Sequence, residues 1–242
     1  MKITVFCDFD GPIMDVSSRY YQAYKIALAD TQAQCAGQRT TLSTHLLSKK
    51  QFWQMKRVRV RDLEIARRSG LPQEQLHFFL QRVHQIVNQP ALLQYDRLQS
   101  KARQALLSLH SQGVELVLVT LRRQEQVVCI LQNCGLAPLF SHICGTQDER
   151  ASYSNYAELK TQLLTKFLGE QPKRSCRNYS AWMVGDTEAD ILAGQSLNIP
   201  TIALTCGIRS CSYLEKFKPT LIHSDLSNAA GYLLEYCQLL AA

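Results

Sequence analysis

Short, nearly continuous apolar runs at 3–7, 114–119, 181–184 and 200–204 have the signature of parallel strands covered on both faces. Between or after them, the stretches 97–111, 123–133, 157–168, 188–196 and 225–239 repeat apolar residues three and four apart. That spacing predicts helices with one buried face. Alternation of the two kinds of element predicts an α/β fold, with helices packed on both sides of a parallel sheet.

One interval is too long for this scheme. Asp10 and Thr120 are 110 positions apart, whereas a strand, a crossover helix and a second strand need only about 30 residues. The excess reads as an inserted all-helical domain over 16–90, with the core formed by 1–15 and 91–242. Within the insert, 17–30 carries Tyr20, Tyr24, Ala27 and Leu28 on one face behind a Ser17-Ser18 cap. The stretch 74–87 repeats the pattern with Leu76, Phe79, Leu80 and Val83. Asn88-Gln89-Pro90 is the expected exit hinge, because proline and the residue before it resist helical continuation.

Composition narrows the class without choosing a function. Nearly half of the 242 residues are apolar and about a fifth are charged, as in globular rather than disordered chains. A formal charge of +7 favours anionic partners of any kind. Nine cysteines form an odd set without a C-x-x-C pair, so buried free thiols are expected rather than a disulfide framework or a zinc ribbon. Lys2–Cys7 reads as a strand rather than a signal peptide, and no apolar run is long enough to span a bilayer. A cytoplasmic protein that does not engage membranes is the expectation.

The chemistry lies where strands end, which is where open parallel sheets gather their ligands. The first strand runs into Asp8-Phe9-Asp10-Gly11-Pro12, so Asp8 and Asp10 project to one side of an extended segment. The strand at 181–184 runs into Gly185-Asp186-Thr187-Glu188-Ala189-Asp190, which places Asp186 and Asp190 one helical turn apart. Two carboxylates about 4 Å apart repel by roughly 4 kcal/mol at an effective dielectric of 20, so a cation is needed between them. The donors are hard oxygens, which suit Mg2+ and a phosphate-bearing substrate. Thr120, at the expected end of the second core strand, offers a hydroxyl to an anion, and Leu121 offers the backbone N–H that follows it. Lys160 opens a helix ahead of the Asp186 strand and could bring an ammonium to the same edge, with Lys166 and Lys173 nearby.

These residues resemble the haloacid dehalogenase-like superfamily. Its D-x-D-G motif appears as Asp8-Phe9-Asp10-Gly11, its second-motif threonine as Thr120, its third-motif lysine as Lys160, and its acidic fourth motif as Gly185 to Asp190. Pro12 stands where threonine is common. The resemblance implies a three-layer Rossmann-like core with a type-1 helical cap, and the phosphoglycolate phosphatase-like branch is the nearest analogy. It further implies that Asp8 attacks phosphorus to form an aspartyl phosphate, while Asp10 protonates the leaving alcohol and then activates water. Mg2+ would be held by Asp8, the backbone carbonyl of Asp10, Asp186 and Asp190, the last directly or through water. Thr120, Leu121 and Lys160 would bind the phosphoryl group. The expected partner is a small phosphorylated metabolite; a phosphosugar mutase, or a catalytically silent regulatory protein of the same fold, stands as the alternative.

Other features carry blander readings. Lys49-Lys50, Lys56-Arg57-Val58-Arg59-Val60-Arg61 and Arg67-Arg68 read as a solvated helical face first, and as a set that could hold a second anionic group of the substrate second. Phe52, Trp53 and Met55 are expected to pack the insert's small core, and no nucleic acid is expected as a partner. The six histidines form no ligand spacing. Oligomeric state is not legible.

Overall fold

A computed structural model describes residues 2–37, 42–148, 151–170 and 179–241. Lys173 and Cys176 lie outside the described residues. The chain forms two units: Met1–Asp15 with Leu98–Ala242, and Val16–Arg97.

The described strands are β1 (Lys2–Cys7), β2 (Met14–Asp15), β3 (Arg97–Leu98), β4 (Glu115–Arg123), β5 (His142–Thr146), β6 (Tyr179–Gly185), β7 (Thr201–Leu204) and β8 (Leu221–His223). Six of them form one parallel sheet in the order β5-β4-β1-β6-β7-β8, while β2 and β3 pair separately. All four expected core strands are present. The edge strands β5 and β8 were not expected from the pattern, because edges need no continuous apolar run: His-Ile-Cys-Gly-Thr and Leu-Ile-His are largely half-buried.

The register explains the layering. Phe6 lies opposite Val117 on one side and Met183 on the other. These three face the helix Ala157–Glu170, where Phe6 meets Phe167 edge-on at 5.6 Å, and Leu164 together with Ala193 of the helix Glu188–Ser196 joins the cluster. Their neighbours Val5, Leu116 and Trp182 are also in register and point to the other face. There Trp182 packs against Tyr232 and Tyr236 of the C-terminal helix Leu226–Ala241, at 5.7 and 5.5 Å. Full burial of each large apolar side chain contributes about 1.5–3 kcal/mol, so the sheet is anchored from both sides.

The expected helix at 97–111 is shorter. Arg97–Leu98 form β3, and Lys101 adopts a left-handed conformation (φ 63°) immediately before the helix Ala102–Ser111.

The inserted unit is helical, as expected: Ser17–Gly37, Lys49–Arg57, Asp62–Arg68, Leu76–Ile86 and Pro90–Leu93. Tyr24 is its hub, stacked on Phe52 at 5.0 Å, edge-on to Phe79 at 6.3 Å, and sharing a 2.7 Å hydrogen bond with the Ser69 hydroxyl. The unit runs to Arg97 rather than to residue 90. Pro90 occupies the first turn of a short helix, where its missing N–H costs nothing, instead of ending the unit. Fully buried Arg19 explains the rest: its Nε donates to Asp96 Oδ1 at 2.9 Å and its Nη1 to Asn88 Oδ1 at 2.5 Å, which ties 88–96 to the first helix.

The basic stretch is only partly a solvated face. Lys56 is buried and donates to Asp62 at 2.9 Å, and Arg68 pairs with Glu64 one turn away, whereas Lys49, Lys50, Arg59, Arg61 and Arg67 are exposed. The cysteines also divide: among the described residues all eight are free thiols, yet only Cys7 and Cys35 are buried, while Cys129 and Cys211 are exposed. No helix among the described residues is long and apolar enough to cross a membrane.

Candidate active site

Four segments of the sheet unit meet at the carboxyl ends of β1, β4 and β6. After Cys7 pairs with Val184, the Asp8 N–H donates to the Val184 carbonyl at 2.9 Å, so Asp8 stands level with Gly185. A tight turn follows, closed by Gly11 N–H to the Met14 carbonyl at 2.8 Å and Met14 N–H to the Phe9 carbonyl at 3.0 Å. Pro12 sits within this turn without disturbing those bonds.

Gly11 is required twice over. Its φ is +99°, a region that side chains disfavour, and a Cβ there would lie 2.1 Å from the Asp186 Cγ. On the other side of the same carboxylate, a Cβ at Gly207 would lie 2.0 Å from Asp186 Oδ2. Two glycines therefore make the slot that Asp186 fills. Ile208 N–H donates to Asp186 Oδ2 at 2.5 Å, while Oδ1 is buried with no protein hydrogen-bond partner. A buried carboxylate oxygen left in that state is costly unless something else binds it.

Lys160 lies beside these carboxylates. Its ammonium lies 3.0 Å from Asp8 Oδ2 and also donates to Asp190 Oδ1, and the side chain is 1% exposed. Asp190 also serves its own helix, because its Oδ2 accepts the Thr187 N–H at 3.0 Å and the Thr187 hydroxyl at 2.8 Å. This closes a capping box at the start of the helix Glu188–Ser196.

Asp8, Asp186 and Asp190 each place a carboxylate oxygen within 4.8 Å of the others. The Asp10 carboxylate is not in this group. It lies 3.1 Å from Nη2 of Arg122, a 1% exposed arginine whose guanidinium sits 5.3 Å from the centre of the Phe9 ring.

Thr120 and Leu121 do not end a strand. β4 continues to Arg123, but its pairing with β1 stops at Cys7–Leu118 and its register with β5 breaks between Val119 and Arg123. The Thr120 hydroxyl oxygen accepts the Arg122 N–H at 3.2 Å within this irregular stretch.

Burial dominates the electrostatics. It pushes the Asp8 carboxyl from 3.8 up to about 7; Lys160 opposes that rise, and Asp190 and Asp10 add to it. Burial likewise drives Asp186 well above the ordinary carboxylate range, with Asp190 and Asp8 adding and the Ile208 N–H opposing. For Lys160 burial favours the neutral amine, but Asp190 and Asp8 outweigh it and hold the group above the usual lysine range. One ammonium does not neutralise the carboxylate cluster. The orphaned Asp186 oxygen, the glycine slot and the all-oxygen donor set fit a small divalent cation.

The profile of the haloacid dehalogenase-like hydrolases matches residues 5–204, a span that contains every carboxylate and the lysine just described. The chain belongs to that family. Among curated family relatives, pyrophosphatase PpaX of Oceanobacillus iheyensis is 28% identical over 123 residues, covering 51% of this chain and 54% of the relative. Phosphoglycolate phosphatase of Psychrobacter arcticus is 31% identical over 130 residues, covering 54% and 53%. The matches thus span about half the length of these curated relatives. A haloacid dehalogenase-like hydrolase from Streptococcus pneumoniae shares the fold over 96% of this chain and 98% of its own, with a TM-score of 0.67 and 18% identity.

Arg122, Gly207 and Ile208 were missed from sequence. Gly207 and Ile208 act through an absent Cβ and a backbone N–H, which leave no side-chain signature. Arg122 could have been suspected, since it stands two residues beyond Thr120, just after a long apolar run.

Proposed function

We propose that this protein is a magnesium-dependent phosphatase that hydrolyses a small phosphate monoester through an aspartyl phosphate on Asp8. The observation that carries the reading is the buried carboxylate cluster with Lys160 bound to two of its members and one Asp186 oxygen left unpartnered. The names of the curated relatives, a phosphoglycolate phosphatase and a pyrophosphatase, support a small phosphorylated substrate.

In this reading an Asp8 carboxylate oxygen attacks phosphorus, the bond to the leaving oxygen breaks, and Asp10 delivers a proton to the departing alcohol. Water then attacks phosphorus, Asp10 takes its proton, and the bond to Asp8 breaks to release inorganic phosphate. Lys160 stabilises charge on the transferring group, and the Thr120 hydroxyl and Leu121 N–H bind its oxygens. Asp8, the Asp10 carbonyl and Asp186 would hold Mg2+, with Asp190 contributing directly or through water. Bound there, the ion supplies counter-charge to the carboxylates and to the phosphate.

Incubation with p-nitrophenyl phosphate, with and without MgCl2, tests the proposal. Turnover should need the metal and vanish in Asp8→Asn. Turnover that survives that substitution removes Asp8 as the nucleophile, and an isomerised substrate in place of free phosphate would mark a mutase.

A further inference from the structure

The Asp186 carboxylate is held by two segments far apart in sequence, and the same two segments are joined by a buried ion pair. Glu188, two residues after Asp186, accepts Arg209 Nε at 2.8 Å on one oxygen and Nη2 at 3.2 Å on the other. Arg209 is 2% exposed and Glu188 8%. Arg209 directly follows Ile208, whose N–H reaches Asp186 Oδ2, and Gly207, whose missing Cβ opens the Asp186 slot.

We infer that the Glu188–Arg209 pair is a positioning clasp for the Asp186 cation site. A planar fork with two bonds fixes both the distance and the orientation of the 207–209 segment relative to 186–188. With that segment pinned, Ile208 N–H stays on Oδ2 and the other Asp186 oxygen is left to the ion. The slot tolerates little movement, since Gly11 closes it from the opposite side and Gln99 ties the two walls together through the Gly11 and Cys206 carbonyls, at 2.9 and 3.3 Å. The guanidinium lies 5.6 Å from the Tyr213 ring, which braces the segment from outside. Taking both charges out of water is a poor way to gain stability alone. A geometric role accounts for keeping them.

The inference rests on the metal reading above, and the test separates the two. MgCl2 is titrated calorimetrically into metal-free wild type, Arg209→Met, and the double variant Glu188→Gln/Arg209→Met, with each fold checked by circular dichroism and thermal midpoint in EDTA. Loss of an outer partner to a ligand side chain weakens metal binding by roughly 10- to 100-fold, and both variants should show it. If Arg209→Met fails to fold, the double variant, which carries neither charge, decides. A folded double variant that binds Mg2+ within about threefold of wild type, whatever its thermal midpoint, overturns the clasp and leaves the metal reading standing. A wild type that binds no Mg2+ overturns both.

Discussion

Raising the pH from 5 to 8 is expected to destabilise the metal-free protein. Asp8 moves from 3.8 to about 7 on burial, and Asp186 is raised by the same cause. A carboxyl with a higher pKa in the folded state holds its proton more tightly there than in the unfolded chain. Its stabilisation is therefore complete below the unfolded value and is lost as pH rises through the folded one. For Asp8 the whole effect is about 4 kcal/mol, of which about 3 kcal/mol disappears between pH 5 and pH 8. In a chain of this size that corresponds to a thermal midpoint about 5–10 °C lower at pH 8. The assay is differential scanning calorimetry in EDTA at both pH values, repeated with MgCl2. Magnesium at a hundred times its dissociation constant adds about 2.7 kcal/mol, and the gain should be larger at pH 8, where the ion need not displace protons. Asp8→Asn should flatten the slope. A midpoint that stays level or rises from pH 5 to pH 8 in EDTA, or a magnesium shift equal at both, would refute the reasoning.

Asp10→Asn should leave calorimetric magnesium binding largely intact while lowering turnover by about 10²- to 10⁴-fold, the usual worth of general acid–base catalysis. Gly207→Ala pushes a Cβ into the Asp186 carboxylate and should abolish magnesium-dependent turnover; wild-type rates would mean that the slot is not needed. Because Arg122 holds Asp10, Arg122→Met should slow alkyl phosphates, which need a proton on the leaving oxygen, far more than p-nitrophenyl phosphate. An equal loss on both substrates would instead assign Arg122 to the phosphoryl group.

Sequence pattern and chemistry reveal different parts of this molecule. Val5, Phe6, Leu116 to Val119 and Trp182 to Val184 announce central strands because burial on both faces demands unbroken apolar runs. β5 and β8 escape because edge strands do not. Asp8, Asp10, Lys160, Asp186 and Asp190 are legible because their chemistry is in their side chains and their spacing fixes which way they face. The slot around Asp186 is not, since it consists of space left by Gly11 and Gly207 and a single amide hydrogen from Ile208. Pro90 misleads for a related reason: the same ring that stops a helix also starts one, and only the Arg19–Asp96 contact decides where the inserted unit ends.

The strand that leads into Asp8 lies in the middle of the sheet, between β4 and β6. Thr4 finds its first ladder partner in Glu115, 111 residues further on, and its second in Ala181. During synthesis β1 therefore leaves the ribosome with neither neighbour made, and Asp8 has no fixed surroundings until β6 arrives. Such distant pairings slow folding and lengthen the time an apolar segment stays uncovered. The carboxylate cluster is then among the last parts of the unit to become ordered, because Asp186 and Asp190 follow β6 in the chain.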